Sequence, residues 1–313
     1  VRVIDIITAP WAIQPEVLTE IQDIYIAHTR GPKLTETDIK AIEARIGKPL
    51  DNKEMPYDVS PGGTATIYVD GILAKRMNAF QRISGGVSTQ LLARDFNDAM
   101  ANASVRAILL YVDSPGGAVD GIQDLAQVIF NSRGQGKPII AFTDGGMLSA
   151  AYWVAAAADR IYISNNTTSV GSIGIVARHV DVSKAEEMRG IKTTEITAGR
   201  YKRIASEYAS LSESGRNYIQ DTLDYLYSVF VNDVARYRGL SAEPIKVGKT
   251  ETIPWADGMV FRGVQAINAG LVDGVSTLPA LISNIEKNPA SFLDRASVAD
   301  ETERRLRNNG NDS

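Results

Sequence analysis

From Thr64 onward, short apolar runs alternate with stretches of helical period. Ala65-Thr66-Ile67-Tyr68-Val69 has strand character, and Thr89 to Ala101 carries helical spacing through Leu91, Leu92, Phe96 and Met100. The unbroken run Ala107 to Val112 is that of a buried strand. Ile122, Leu125, Ala126 and Ile129 mark the next amphipathic helix, Gly136-Lys137-Pro138 closes it, and Ile139 to Phe142 begins another strand. Beyond Ser149 the pattern predicts a short alanine-rich helix, a strand at Ile161-Tyr162-Ile163, and a turn-rich stretch from Asn165 to Gly174. Helices at Val182 to Arg189 and Ser212 to Arg238 follow. Strand and helix in alternation predict an α/β fold with a parallel core.

The flanks read differently. Residues 1–60 read as a helical amino-terminal extension, with helices at Glu16 to Ala27 and Glu36 to Ile46 and a polar connector from Asp51 to Gly63. A surface appendage, a packing extension or an oligomer contact all suit it, and nothing in it points to catalysis. Residues 61–285 form the α/β domain, interrupted from Lys75 to Ser88 by a long loop without clear period. Residues 286–313, ending in Arg304-Arg305-Leu306-Arg307-Asn308-Asn309-Gly310-Asn311-Asp312-Ser313, read as a polar, frayed tail.

Composition narrows the chemistry. With 313 residues and 44% hydrophobic content the chain has enough apolar material for a substantial core. A formal net charge of −4 with dispersed Lys and Arg gives no nucleic-acid signature. Zero cysteines exclude disulfides, thiolate metal sites and a cysteine nucleophile; His28 and His179 are the only imidazoles and no HExxH pattern occurs, so neither metal nor cofactor is expected. Asp159 and Arg160 cut the longest apolar stretch short of the roughly 20 residues that span a bilayer, so no membrane segment is expected. The chain opens at Val1 without a basic-then-apolar leader, so no retained signal or anchor is expected either.

The candidate chemistry gathers at three places. Ser149 follows the small-residue turn Asp144-Gly145-Gly146-Met147-Leu148, in the position of a helix cap. Asp113-Ser114-Pro115-Gly116-Gly117 ends the strand at Val112, and its glycines can leave backbone N–H groups free for an oxyanion. Lys202 sits in a third, glycine-marked loop, Ala198-Gly199-Arg200-Tyr201-Lys202. Serine needs a base to become a nucleophile, and imidazole is scarce here: His28 lies in the extension, and His179 reads more readily as structural. A lysine serves if burial or neighbouring cations bring its amine, which titrates near pH ~10.4 in water, down toward neutrality. Alone, Ser149 is an ordinary cap and Lys202 a solvated charge. Met147 and Ala151 stand where the Gly-x-Ser-x-Gly elbow has glycines, and two adjacent glycines at 116 and 117 make no dinucleotide fingerprint.

Six segments in order give the chain a resemblance over about residues 64–280: Tyr68-Val69-Asp70-Gly71-Ile72-Leu73, Asp113 to Gly117, Ser149 with Ala157-Ala158-Asp159, Val170-Gly171-Ser172-Ile173-Gly174, Gly199 to Lys202, and Asn268-Ala269-Gly270-Leu271-Val272-Asp273. Together they resemble the signal peptide peptidase A family. The resemblance implies the spiral of ββα units shared by the Clp protease subunit and the crotonases, and peptide hydrolysis by a Ser-Lys dyad. It implies Ser149 as nucleophile, Lys202 as general base and Ser172 as the serine orienting the lysine amine. Backbone N–H groups of Gly117 and Ala150, with Gly116 beside them, would hold the oxyanion. Where the family often has Ser-Gly-Gly, this chain has Ser149-Ala150-Ala151, which keeps the backbone donor.

Within that family, Ala9-Pro10-Trp11-Ala12-Ile13 and the absent anchor resemble the tailed-phage branch, which matures heads by digesting scaffold protein in the host cytoplasm or procapsid. The bacterial branch cleaves leftover signal peptides. Either implies a polypeptide substrate and a homo-oligomer. The competing readings are a crotonase-like acyl-CoA enzyme, whose glycine N–H groups cover a thioester oxygen, and an inactive structural ring protein.

Overall fold

Alternate residues of the Ala107 to Val112 run face opposite ways, and both sides are buried: Ile108, Leu110 and Val112 enter one apolar cluster, Ala107 and Leu109 another. The computed structural model that shows this describes residues 10–19, 57–76, 86–247 and 250–293. Its strands are β1 (Trp11–Ile13), β2 (Asp58–Val59), β3 (Thr64–Asp70), β4 (Ile72–Ala74), β5 (Gly86–Ser88), β6 (Ala107–Asp113), β7 (Gly116–Ala118), β8 (Ile139–Thr143), β9 (Gly146–Leu148), β10 (Arg160–Ile163), β11 (Ser169–Gly171), β12 (Ile245–Val247), β13 (Thr250–Thr252), β14 (Val260–Arg262) and β15 (Gly274–Val275). Its helices are α1 (Thr89–Ala101), α2 (Ile122–Asn131), α3 (Ala150–Ala156), α4 (Ser183–Glu187), α5 (Glu213–Arg238), α6 (Val264–Asn268) and α7 (Leu278–Lys287).

Strands β15, β10, β8, β6, β3 and β2 form the main sheet in that order, parallel except for β2. Each of β3, β6, β8 and β10 is followed by a short strand that leaves for a second layer: β4 and β7 enter the sheet β1-β7-β4-β5, while β9 and β11 enter β14-β11-β9. After the first three such pairs a helix returns, α1, α2 and α3 in turn. This is the stacked ββα arrangement implied by the motifs.

Helix α3 is buried at every residue, including Tyr152 and Trp153. Its alanines let α2 and α5 approach closely, and Trp153 stacks on Phe230 of α5 at 4.3 Å between ring centroids. The Trp153 indole N–H donates to Asp233 (3.0 Å), which also accepts from Gln123 (3.0 Å). At the far end, the Arg133 guanidinium donates to the carbonyls of Ala156 (2.9 Å), Ala157 (2.7 Å), Ala158 and Tyr237 (3.1 Å). Those α3 carbonyls have no intrahelical partner, and a cation there also complements the helix dipole. Arg133→Ala is therefore expected to cost about 2–4 kcal/mol, read as a lower midpoint in chemical denaturation with unchanged slope.

The flanks depart from the sequence reading. Trp11–Ile13 is a strand, not part of a helical appendage: it pairs with β7, and Trp11, Ala12 and Ile13 are buried. Four residues between prolines at 10 and 15, three of them apolar, carry no period, so only their tertiary partners reveal the strand. Residues 15–19 are helical; the remainder of the Glu16 to Ala27 helix, the Glu36 to Ile46 helix and His28 lie outside the described residues. Within the expected connector, Asp58–Val59 pairs with β3. The end of the expected 75–88 loop is β5, and its Ser88 caps α1; residues 77–85 lie outside the description. Residues 286–293 are not frayed: α7 runs to Lys287, a 3-10 turn spans Pro289–Phe292, and Phe292 joins the cluster of Leu109, Ile140 and Phe142. The rest of the expected tail lies beyond the described residues.

Candidate active site

Ser149 stands between β9 and α3 with φ 53° and ψ −119°, a conformation that costs a side-chain-bearing residue strain. Its own backbone pins it: the N–H donates to Gly171 O (2.7 Å), and the carbonyl accepts from Trp153 N–H (3.0 Å) as the first helical bond. The expected cap is absent, because the side chain caps no α3 N–H. Its Oγ has only a long contact, 3.5 Å, with Gly174 O. The residue occupies a cap position and withholds its hydroxyl from capping.

Parallel pairing brings the second serine alongside. Leu148 is opposite Gly171, so Ser149 and Ser172 leave paired strands at the same level. Ser172 also has a positive φ, 54°, and its N–H donates to Met259 O (2.7 Å). Ser114 links the third segment, since Leu148 N–H donates to Ser114 O (3.1 Å). That bond carries Gly116 and Gly117 to the side of Ser149.

The glycines do not form an open turn; they are strand β7. Gly116 has φ 110°, and a Cβ there would run into the carbonyl of Ala12 and come within 3.0 Å of Ser149 Cβ, so only glycine fits. Its N–H donates to Ser114 Oγ (3.2 Å). Ala150, buried at the first turn of α3, has an N–H with no acceptor among the described residues. Of the three proposed oxyanion donors, Ala150 is thus the free one.

Among the described residues no hydrogen bond joins Lys202 to Ser149, which is buried. Lys202 is exposed, in a turn closed by its own N–H to Gly199 O (3.1 Å), and its ammonium hydrogen-bonds no described residue. Residues 187–202 are exposed throughout, with Met188 at 88% and Ile196 at 95%. The arm is tied where it leaves and rejoins the core, and the Tyr201 ring beside Lys202 stacks on Tyr218 of α5 at 5.0 Å between ring centroids. Val182 N–H donates to Glu207 O (2.7 Å), Arg203 bridges Glu195 and Glu207, and Asp181 accepts from the hydroxyls of Ser183 and Ser210. Those hydroxyl bonds, together with the Ser183 N–H, hold the Asp181 carboxyl down to about 2. His179 faces Ser206 O (2.9 Å) within the same base.

Stacked ββα units that present a serine at a strained strand-to-helix elbow define the α/β scaffold of this chain. The chain belongs to peptidase family S49, whose sequence model matches residues 131–290. It is 31% identical over 67% of its length to head-tail preconnector protein GP5 of Enterobacteria phage P21, and 32% identical over 78% of its length to capsid assembly protease C of Escherichia phage lambda. It spans 40% and 53% of those two proteins. A variant of the 1510-N membrane-bound stomatin-specific protease superposes with a TM-score of 0.40 at 16% identity, over 70% of this chain and 82% of that one. Among the described residues, no helix is long and apolar enough to cross a membrane.

The sequence reading missed one contributor to the site. Strand β1 lies across the glycines beside Ser149, and the only local signal for it is an apolar triplet bracketed by prolines.

Proposed function

We propose that the chain is a serine endopeptidase in which Ser149 attacks and Lys202 acts as general base. The observation that carries this reading is the strained, uncapped Ser149 at the start of α3. In the first step Ser149 Oγ bonds to the scissile carbonyl carbon and its proton passes to Lys202 Nζ. The oxyanion is held by the N–H groups of Ala150 and Gly117, with Gly116 supporting their loop. The C–N bond then breaks, the amine leaves with that proton, and water releases the acyl group from Ser149. A fluorophosphonate should label Ser149, seen as one modified peptide in a mass-mapped digest; no label would favour an inactive structural protein.

Ser172 is assigned to hold the neutral Lys202 amine toward Ser149. Ser172→Ala is expected to lower turnover about 10- to 100-fold without abolishing it, as other supporting hydrogen bonds do. Unchanged turnover would remove Ser172 from the site.

The exposed arm supports assembly. A homo-oligomer would cover Met188 and Ile196 and bring a Lys202 over a Ser149, from the same or a neighbouring chain. Light scattering reads the oligomer. Mixing Ser149→Ala with Lys202→Ala chains reads the source of the lysine: activity regained on mixing means that neighbouring chains complete each other.

The similarity to two phage head proteins, one of them a capsid assembly protease, favours a polypeptide substrate in head assembly, such as scaffold protein, within the host cytoplasm or procapsid. Degradation of signal peptides is the alternative that the same machinery would serve. Incubating the chain with the scaffold and capsid proteins encoded beside it distinguishes the two.

A further inference from the structure

Strand β1 lies where an extended peptide must lie to reach Ser149. On one side it runs antiparallel to β7, with Ala12 opposite Gly117 and Ile13 opposite Gly116. On the other side Trp11 exchanges both backbone bonds with Val176, at 2.9 and 2.8 Å. Gln14 N–H donates to Pro115 O (3.2 Å) and Val119 N–H to Pro10 O (3.4 Å), which sets the phase of the ladder. Hydrogen-bonded pairs alternate in an antiparallel ladder, so Ala12 and Gly117 are such a pair, and the Gly117 N–H points at the Ala12 carbonyl. The position that a Gly116 Cβ would take is crowded by the Ala12 carbonyl oxygen and lies 3.0 Å from both Ile13 Cα and Ser149 Cβ. The Ala12–Ile13 peptide and Ser149 therefore crowd the same side of Gly116, with the Ala12 carbonyl on a proposed oxyanion donor.

This strand is far from β7 in sequence and joined to it by no turn. Tertiary contacts hold it: Trp11, Ile13 and Leu18 pack with Ile72, Ala118 and Val176, and Arg178 donates to Thr19 Oγ1 (2.8 Å). Such added strands bind through main-chain hydrogen bonds, with alternate side chains filling pockets. It is a peptide bound in cis.

We propose that residues 10–14 are a pseudosubstrate strand. The chain's own backbone fills the groove between β7 and Val176, and a polypeptide substrate enters only when this strand has left. The proposal rests on the assignment of Ser149 and Gly117 above. A groove free about 1% of the time weakens the apparent affinity of an incoming peptide about 100-fold. Ala12 is fully buried, so a carboxylate in its place expels the strand.

The test uses the full chain and a fluorescent peptide with the sequence of residues 8–16. In a Ser149→Ala background, adding Ala12→Asp should tighten peptide binding at least 10-fold by anisotropy, with circular dichroism unchanged. If Ala12→Asp fails to fold, Trp11→Ser removes the anchor instead and is held to the same gain. Equal affinity with and without the substitution, including no measurable binding in either, overturns the proposal. Peptide binding needs no chemistry, whereas fluorophosphonate labelling of the chain with Ser149 intact does. A binding gain without any label on Ser149 would retain the pseudosubstrate and sink the nucleophile; a label without the gain would do the reverse.

Discussion

Ser149→Ala should reduce peptide hydrolysis by on the order of 10⁴-fold or more while the protein melts within a few degrees of the unsubstituted chain. The loss is large because the attacking oxygen is gone and no neighbouring hydroxyl shares its elbow. The structural cost is small because the Ser149 side chain caps nothing and makes one long contact, so less than about 1 kcal/mol is at stake. Turnover on casein or a fluorogenic peptide, measured beside a melting curve, checks both halves. Substantial residual cleavage would move the nucleophile elsewhere.

Replacing Lys202 by Ala or Arg should lower turnover about 10²- to 10⁴-fold, whereas His179→Ala keeps most of the activity. Arginine retains the charge but does not give up its proton at usable pH, so a base role separates it from lysine where a charge role would not. His179 is engaged with Ser206 at the base of the arm, and its loss loosens that base without removing a proton acceptor. Only the neutral amine accepts the serine proton, so turnover should rise with pH into the alkaline range. That limb should vanish in the Lys202 variants. A profile flat from about pH 6 upward, or a dead His179→Ala beside an active Lys202→Ala, would replace lysine as the base.

These two substitutions probe residues in different surroundings, one buried and one exposed, and the difference has a physical cause. Ser149 is fixed by paired strands and a buried helix, which one chain supplies by itself. Lys202 rides on an arm with exposed apolar residues, Met188 and Ile196, whose described contact with the core near Lys202 is the stack of Tyr201 on Tyr218.

The sequence by itself determined the parallel core. Residues 107–112 form a strand because both faces are apolar, α1 ends where Asn102 interrupts its period, and α5 begins at the Ser212 cap and ends at Gly239 in the left-handed conformation. It also singled out Ser149 and the Gly116-Gly117 pair, because small residues mark turns where backbone comes close, whereas Ser172 was singled out only by the resemblance to a family. Tertiary structure alone decided that Trp11–Ile13 is a strand paired with β7, that the Ser149 hydroxyl is not a cap, that Phe292 belongs to the core, and that Lys202 is exposed. Three residues carry no period, a cap depends on ψ as well as residue type, and a charged side chain goes where its surroundings lead it. Local pattern encodes which face of an element is apolar; what that face meets is settled by segments distant in the chain.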